Sequence, residues 1–180
     1  RRLAGRLLRR GRFFFLVLFS LVVIARAEVS PFSVRVEQIT STDADRFKKT
    51  QEKKLRIFVS NNSNADANLT LKYYFFGHGA KDREIDTLDK GQMAGSVKAN
   101  ATEIIETPAA KATFNEEHYE TKKDKSGGNR GRGGGMKLGK KIEASGKKLT
   151  GYGVQVLNGG TVVAEYFSEP SLKAEVAGGR

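Results

Sequence analysis

Apolar and polar residues alternate along several stretches of this chain. The clearest are Phe32–Val36, Leu55–Val59 and Leu69–Phe75. A period of two places every second side chain on the same face of a strand, and the β-branched and aromatic residues here favour strands over helices. The pattern therefore predicts three half-buried strands, separated by polar turns at Thr40–Arg46 and Asn61–Asn68.

The third stretch carries large side chains on both faces. Tyr73 and Phe75 fall on one face of the predicted strand, and Tyr74 and Phe76 fall on the other. Large residues on both faces are typical of a central strand. We expect one pair to face the core and the other to be covered or available to a partner. The Gly-His-Gly sequence at 77–79 is expected to end the strand in a turn.

Weaker patterns fill the middle of the chain. Gly95–Thr107 predicts a strand in which the apolar positions change parity, which indicates a bulge or break near Thr102. Pro108 is expected to end this strand, because proline cannot donate to a sheet. Ala112–Tyr119 predicts a further short strand.

A hairpin is the clearest local prediction near the C-terminal end. Leu149–Leu157 and Thr161–Phe167 flank Asn158–Gly160, whose residues readily adopt the positive φ of a tight turn. Pro170 is expected to stop the second strand. No run in the chain has a convincing helical period.

These patterns predict an all-β fold, an antiparallel β-sandwich of about seven strands. Over Phe32–Lys173 the strand pattern resembles the immunoglobulin-like and fibronectin-III-like domains of exported bacterial proteins. The disulfide and the tryptophan of antibody-type domains are missing, since the chain has no cysteine and no tryptophan. The resemblance therefore implies an architecture and no functional residues.

The N-terminal residues have the pattern of a secretory signal peptide. Six arginines and no acidic residue precede the apolar run Phe13–Ile24, and Ala25 and Ala27 are the small residues that signal peptidase reads. The run is shorter than the roughly 20 residues that span a bilayer. We therefore predict a signal-peptide helix over residues 1–27 and cleavage before Glu28.

Cleavage would leave one β-sandwich domain over residues 28–180, exported to the periplasm or the medium and without a membrane span. Retention of the leader as an anchor is the alternative. The arginine-rich start and the lack of cysteine favour a bacterial origin. In a eukaryotic secretory protein, Asn61, Asn68 and Asn100 would instead be glycan acceptors, because each begins an Asn-x-Ser/Thr sequence.

Removal of the leader also changes the charge of the protein. The whole chain has a formal charge of +12, but seven arginines lie in residues 1–27, which leaves +5. Between Tyr119 and Lys148, ten lysines and arginines accompany three acidic residues. All of the basic excess of the mature chain therefore lies in this part.

The centre of this part is the basic segment, Lys122–Lys141, which is rich in glycine and predicts a flexible, disordered insert between residues 120 and 141. A solvated loop is the simplest interpretation, and an anionic surface or another envelope protein is the alternative partner. Nucleic acid is disfavoured, because the segment has one Arg-Gly-Gly unit and no aromatic residue for stacking. The candidate anion-contact residues are Lys122, Lys123, Lys125, Arg130, Arg132, Lys137, Lys140 and Lys141.

No catalytic, metal or cofactor motif stands out. The lack of cysteine excludes thiol catalysis and cysteine-based metal sites. Glu116 and His118 would share one strand face, which is too few ligands for a metal. We therefore predict a non-catalytic binding or structural module. The competing hypothesis is a hydrolase that combines these two residues with separated carboxylates, such as those in residues 82–89.

The predicted export can be tested from the N-terminus of the exported protein. We expect mass spectrometry to find a chain that begins at Glu28 outside the cytoplasm. Replacing both small residues, Ala25→Arg with Ala27→Arg, should block processing because the peptidase requires small side chains there. Glu28→Ala, just beyond the cut, should leave processing intact. An exported protein that retains residues 1–27 would contradict cleavage and favour the anchor.

Overall fold

The computed structural model describes residues 30–82, 84–120 and 139–178. Within these residues, ten strand segments are followed by one short helix. They are β1 (Phe32–Ala44), β2 (Lys48–Asn61), β3 (Ala67–Gly79), β4 (Asp86–Val97), β5 (Ala101–Glu106), β6 (Ala110–Asn115), β7 (His118–Tyr119), β8 (Lys141–Ile142), β9 (Ser145–Asn158), β10 (Thr161–Phe167) and α1 (Leu172–Gly178). The strand pairings are antiparallel, and the predicted all-β sandwich is confirmed. The predicted leader lies outside the described residues.

Two sheets form the sandwich. Sheet A contains β1, β2, β5 and β6, and sheet B has the order β10, β9, β3, β4. Strand β2 pairs with β1 on one side, and on its other side it pairs first with β6 and then with β5. The first residues of β9 also pair with β6, so β9 joins the two sheets. At one side of the sandwich β1 of sheet A contacts β10 of sheet B, and at the other side β5 of sheet A contacts β4 of sheet B.

The core lies between the sheets and consists of alternate residues of the long strands. Burial of each large apolar side chain contributes about 1.5–3 kcal/mol, so this layer supplies most of the stabilisation. Sheet A contributes Val36, Leu55, Ile57 and Val59, and sheet B contributes Leu69, Leu71, Tyr73, Phe75, Val154 and Val156. The inward faces predicted for the first three strands are therefore confirmed.

Glycines on the strands beside β3 make room for large side chains. On the inner face, Tyr73 lies opposite Gly91 of β4, and on the outer face Phe76 lies opposite Gly151 of β9. A Cβ atom at Gly91 would lie 2.3 Å from the Tyr73 hydroxyl oxygen, whereas one at Gly151 would lie 2.5 Å from Leu172 of α1. Strand β3 is central in its sheet, as predicted, and Gly91 is the glycine that leaves space for one of its rings.

Two predicted turns are wrong. Strand β1 continues to Ala44, so the turn comprises residues 45–47 and not Thr40–Arg46. Its last residues are polar because they are exposed, and exposed strand positions tolerate polar side chains. Strand β3 likewise continues through 77–79, and His78 is a strand residue. Gly77 permits this, because a Cβ there would lie 2.1 Å from a backbone carbonyl oxygen of β9.

The strand predicted over Gly95–Thr107 is in fact two strands. Strand β4 ends at Val97 and β5 begins at Ala101, so the break precedes Thr102. Asn100 in this turn has a φ of 52°, in the left-handed region. The change of parity in the sequence reflects this turn. The first half of β4 escaped prediction because it is an edge strand rich in charged residues and glycine.

The remaining elements follow the predicted pattern with one addition. The strand predicted over Ala112–Tyr119 is divided between β6 and β7. The β9–β10 hairpin is confirmed, and Gly159 and Gly160 have φ values of 57° and 87°. After Pro170 the chain forms α1, which was not predicted because seven residues are too few for a clear helical period.

Asn61 joins two loops at the end of the sandwich away from β7 and β8. Its side chain is fully buried, and its Nδ2 donates to the carbonyl oxygens of Ala65 at 2.8 Å and of Val97 and Lys98 at 3.3 Å. Its Oδ1 accepts from the backbone N and the hydroxyl of Ser63, at 3.0 and 2.6 Å. This side chain therefore holds the β2–β3 loop against the β4–β5 turn.

We expect Asn61→Ala to lower the free energy of unfolding by about 2 kcal/mol or more, because it leaves buried carbonyl and amide groups without partners. The matched control is Asn62→Ala, at an exposed neighbouring residue, which should change it by less than about 0.5 kcal/mol. Urea denaturation of both variants makes the comparison. Equal effects of the two substitutions would contradict this role for Asn61.

Candidate functional site

Helix α1 lies against the outer face of sheet B. Leu172 is buried, and a Cβ atom at Gly151 would lie 2.5 Å from its Cδ1, so Leu172 sits directly over this glycine. Phe76, opposite Gly151, is fully buried although it lies outside the core between the sheets. The expectation that the outer aromatic pair would be covered is therefore confirmed for Phe76.

Tyr74, the other member of the pair, is only partly covered. Two adjoining hollows of about 560 and 370 Å³ lie beside its ring, between α1 and strands β3 and β4. Tyr74, Lys90 and Val176 line both hollows. We call the region the Tyr74 cleft. Its other polar lining residues are Lys72, Asp86, Thr87, Asp89, Gln92, Lys147 and Glu175.

The formal charges in the Tyr74 cleft cancel, since three basic and three acidic side chains line it. The Nζ of Lys147 lies 3.8 Å from an oxygen of Asp86. The Tyr74 hydroxyl donates to Gln155 at 3.4 Å, and burial raises the pKa of Tyr74, so it stays protonated at neutral pH.

The two ends of the basic segment meet at one end of the sandwich. Strands β7 and β8 pair with each other, and the backbone N of Glu120 donates to the carbonyl oxygen of Lys140 at 3.0 Å. Glu120 and Lys140, on either side of residues 121–138, are therefore neighbours in space. Of the candidate anion-contact residues, Lys140 and Lys141 are described. Lys122, Lys123, Lys125, Arg130, Arg132 and Lys137 lie outside the described residues.

The described lysines around this end largely have acidic neighbours. The Nζ of Lys141 lies 3.0 Å from Glu117, and its hydrogen bond to that carboxylate raises its pKa. Lys81 forms an ion pair with Glu143. Lys141 is therefore already engaged by a carboxylate.

Glu116 and His118, the two residues proposed for a hydrolase, each contact other side chains or the backbone. The carboxylate of Glu116 lies 2.5 Å from the Nζ of Lys49. The ring of His118 stacks on Phe47, with centroids 3.8 Å apart and an interplanar angle of 3°, and its Nδ1 lies 2.9 Å from the Glu116 carbonyl oxygen. Across residues 30–82, 84–120 and 139–178, no group of three or more histidine and acidic side chains could hold a metal.

The carboxylates of residues 82–89 lie in two different surroundings. Asp82 accepts from the backbone N of Glu84 at 3.0 Å and shapes the loop before β4. Asp86 and Asp89 lie on β4 and line the Tyr74 cleft. Their surroundings are those of a polar contact surface.

The three Asn-x-Ser/Thr sequences differ in accessibility. Asn61 is fully buried and hydrogen-bonded, so its amide cannot accept a glycan in the folded protein. Asn68 on β3 and Asn100 in the β4–β5 turn are exposed. The sequence pattern alone does not distinguish these cases, because burial of Asn61 depends on contacts between two loops.

The sequence identified Tyr74 as an outward-facing aromatic residue but missed the opposite wall of the cleft. That wall includes Val176 and Glu175 of α1. The one available signal was the spacing of Leu172 and Val176, which places two apolar side chains on one face of a helix. No helix within the part of the chain that the structure describes is long and apolar enough to cross a bilayer.

Comparisons with known proteins give weak likenesses. No family model and no curated protein matches the chain. A calcium-binding mutant of Bacteroides uniformis β-glucuronidase 2 matches with a TM-score of 0.44 and 12% identity, over 77% of this chain and 14% of that chain. A β-glucuronidase from glycoside hydrolase family 2 matches with a TM-score of 0.42 and 11% identity, over 77% and 12%. A protein from Akkermansia muciniphila matches with a TM-score of 0.27 and 20% identity, over 83% and 76%.

The chain thus spans less than a fifth of the two glucuronidases. At these TM-scores the likenesses carry no argument about function, and membership of an immunoglobulin-like or fibronectin-III-like family stays a prediction. The β-sandwich itself follows from the strand pairings described above. These findings are compatible with a β-sandwich module.

Proposed function

We propose that this protein is an exported, non-catalytic β-sandwich that binds a partner in the cell envelope through the Tyr74 cleft. The observation that carries the proposal is the position of Tyr74. It lies on the outer side of a central strand, partly exposed, between α1 and the edge strand β4. An aromatic side chain in a polar-rimmed depression is the arrangement in which interface contacts contribute most energy.

The geometry of the cleft also supports a rigid contact surface. Tyr74 lies on a strand that is paired on both sides, and Leu172 anchors α1 over Gly151. A partner would therefore meet a preformed surface, which reduces the entropy cost of association. Because the lining charges cancel, the contacting group of the partner is expected to be polar and uncharged.

A second candidate function is attachment to an anionic surface through the basic segment. It is supported by the excess of lysine and arginine in Lys122–Lys141 and by the pairing of β7 with β8, which brings the residues that flank 121–138 together. This candidate predicts binding that weakens steeply with salt, since it depends on exposed charge. Binding through the Tyr74 cleft should depend much less on salt.

One sedimentation experiment separates the two candidates. Purified protein is mixed with a cell-envelope fraction from the organism that produces it, and the bound fraction is measured at low and high salt. Tyr74→Ala is expected to weaken binding at least about tenfold, because a central aromatic contact contributes about 2 kcal/mol. Tyr119→Ala, at an exposed tyrosine on β7 away from the cleft, is the matched control and should have little effect.

Deletion of Lys122–Lys137 completes the comparison. If the deletion abolishes binding and Tyr74→Ala does not, the anionic surface is the partner and the cleft proposal fails. If neither change matters, both proposals fail. Protease treatment of the envelope fraction before mixing then shows whether the partner of the cleft is a protein.

A further inference from the structure

The inner face of β2 changes from apolar to polar along the strand. Leu55 is fully buried in the core, and the next two residues on the same face towards the β1–β2 turn are Lys53 and Gln51. Lys53 is only 8% exposed. Across the sheet, Lys53 and Gln51 pair with Ala110 and Ala112 of β6, whose small side chains leave room for the longer ones. A lysine side chain thus enters the space between the sheets.

Lys53 differs from the other two buried polar residues, Asn61 and Thr107. Asn61 has the hydrogen bonds described above, and Thr107 accepts from the backbone N of Leu55 at 3.0 Å. In the described part of the chain, the Lys53 ammonium has no hydrogen-bond acceptor within 3.5 Å and no carboxylate oxygen within 4.0 Å. No fully enclosed side-chain nitrogen or oxygen there lacks a partner, so the Lys53 Nζ touches space that solvent can reach.

A second lysine, Lys148, precedes Leu149 on β9, and the backbone N of Leu149 donates to Gln51 of β2. Burial, and then the positive charge of Lys148, lower the pKa of Lys53. The side chain of Gln51 crosses between the sheets here, because its Oε1 accepts from the backbone N of Leu149 at 3.1 Å. Its Nε2 remains as a further donor in the same region. This region therefore contains positive charge from Lys53 and Lys148 and a hydrogen-bond donor from Gln51, and the described residues supply Lys53 with no acceptor.

We propose that Lys53, with Lys148 and the Gln51 amide, binds a small oxyanion at the open end of the space between the sheets. The ligand class is a phosphate, sulfate or carboxylate group. Such a group supplies both the opposite charge and the acceptors that a buried ammonium requires. The proposal is independent of the Tyr74 cleft, which lies on the outer face of sheet B.

The test is thermal unfolding of the purified protein over a range of inorganic phosphate at constant ionic strength. Phosphate that binds only the folded state raises Tm, and above Kd the rise continues with the logarithm of the phosphate concentration. We expect this rise in the wild type and its loss in Lys53→Met, which keeps an unbranched stem and removes the charge. Lys148→Met should weaken the effect several-fold. The matched control, Lys147→Met, changes an exposed lysine on the same strand and should retain it.

Deletion of Lys122–Lys137 separates this effect from phosphate held by the basic segment, and the Lys53-dependent rise should persist. A parallel titration with acetate shows whether a carboxylate suffices. An equal rise in wild type and Lys53→Met, or no rise in either, overturns the proposal and means that the ammonium is simply hydrated at the end of a buried stem.

If Lys53→Met does not fold, an NMR titration of the wild-type protein still tests whether phosphate binds at Lys53. Phosphate should then shift the NMR signals of the backbone amides at residues 51–53 and 148–149. Shifts confined to residues 121–138 would overturn the proposal.

Discussion

Strand β3 carries large side chains on both faces, and the strands on either side of it must leave room for them. On the inner face, Gly91 of β4 has no side chain, and the ring of Tyr73 occupies the space beside it. On the outer face, Gly151 of β9 lies opposite Phe76 and leaves room for Leu172 of α1. Without these glycines, neither the core nor the seat of α1 could form as it does, since interiors are too closely packed to accept an extra methyl group without movement.

The candidate functional surface follows from the same constraint. A strand with aromatic residues on both faces leaves one pair outside the core, and that pair needs its own cover. Phe76 is fully buried on this face, opposite the glycine that Leu172 of α1 covers, whereas Tyr74 stays partly exposed. The cleft is thus the part of the outer face that α1 does not cover, and β4 supplies its opposite side. Strand β3 therefore supplies both core residues on its inner face and, with Tyr74 on its outer face, part of the candidate binding surface.

The sequence predicted the elements whose side chains alternate cleanly. The core strands around Leu55–Val59 and Leu69–Phe75 and the C-terminal hairpin are visible because burial on one face imposes a period of two. Strand β4 and α1 escaped because an exposed edge and a seven-residue helix impose no such pattern. Lys53 escaped for a different reason. A lysine in a strand looks like an exposed position, and only the pairing of β2 with β6 places it between the sheets.

The most direct test of the packing between β3 and its neighbours is a double-mutant cycle at Tyr73 and Gly91. Gly91→Ala should lower the free energy of unfolding by about 1–3 kcal/mol in the wild-type background, because the new methyl group overlaps the tyrosine ring. In a Tyr73→Leu background, where the ring is gone, the same substitution should cost close to nothing. Equal costs in the two backgrounds would contradict the account, because they would show that the glycine is not there to make room for the ring.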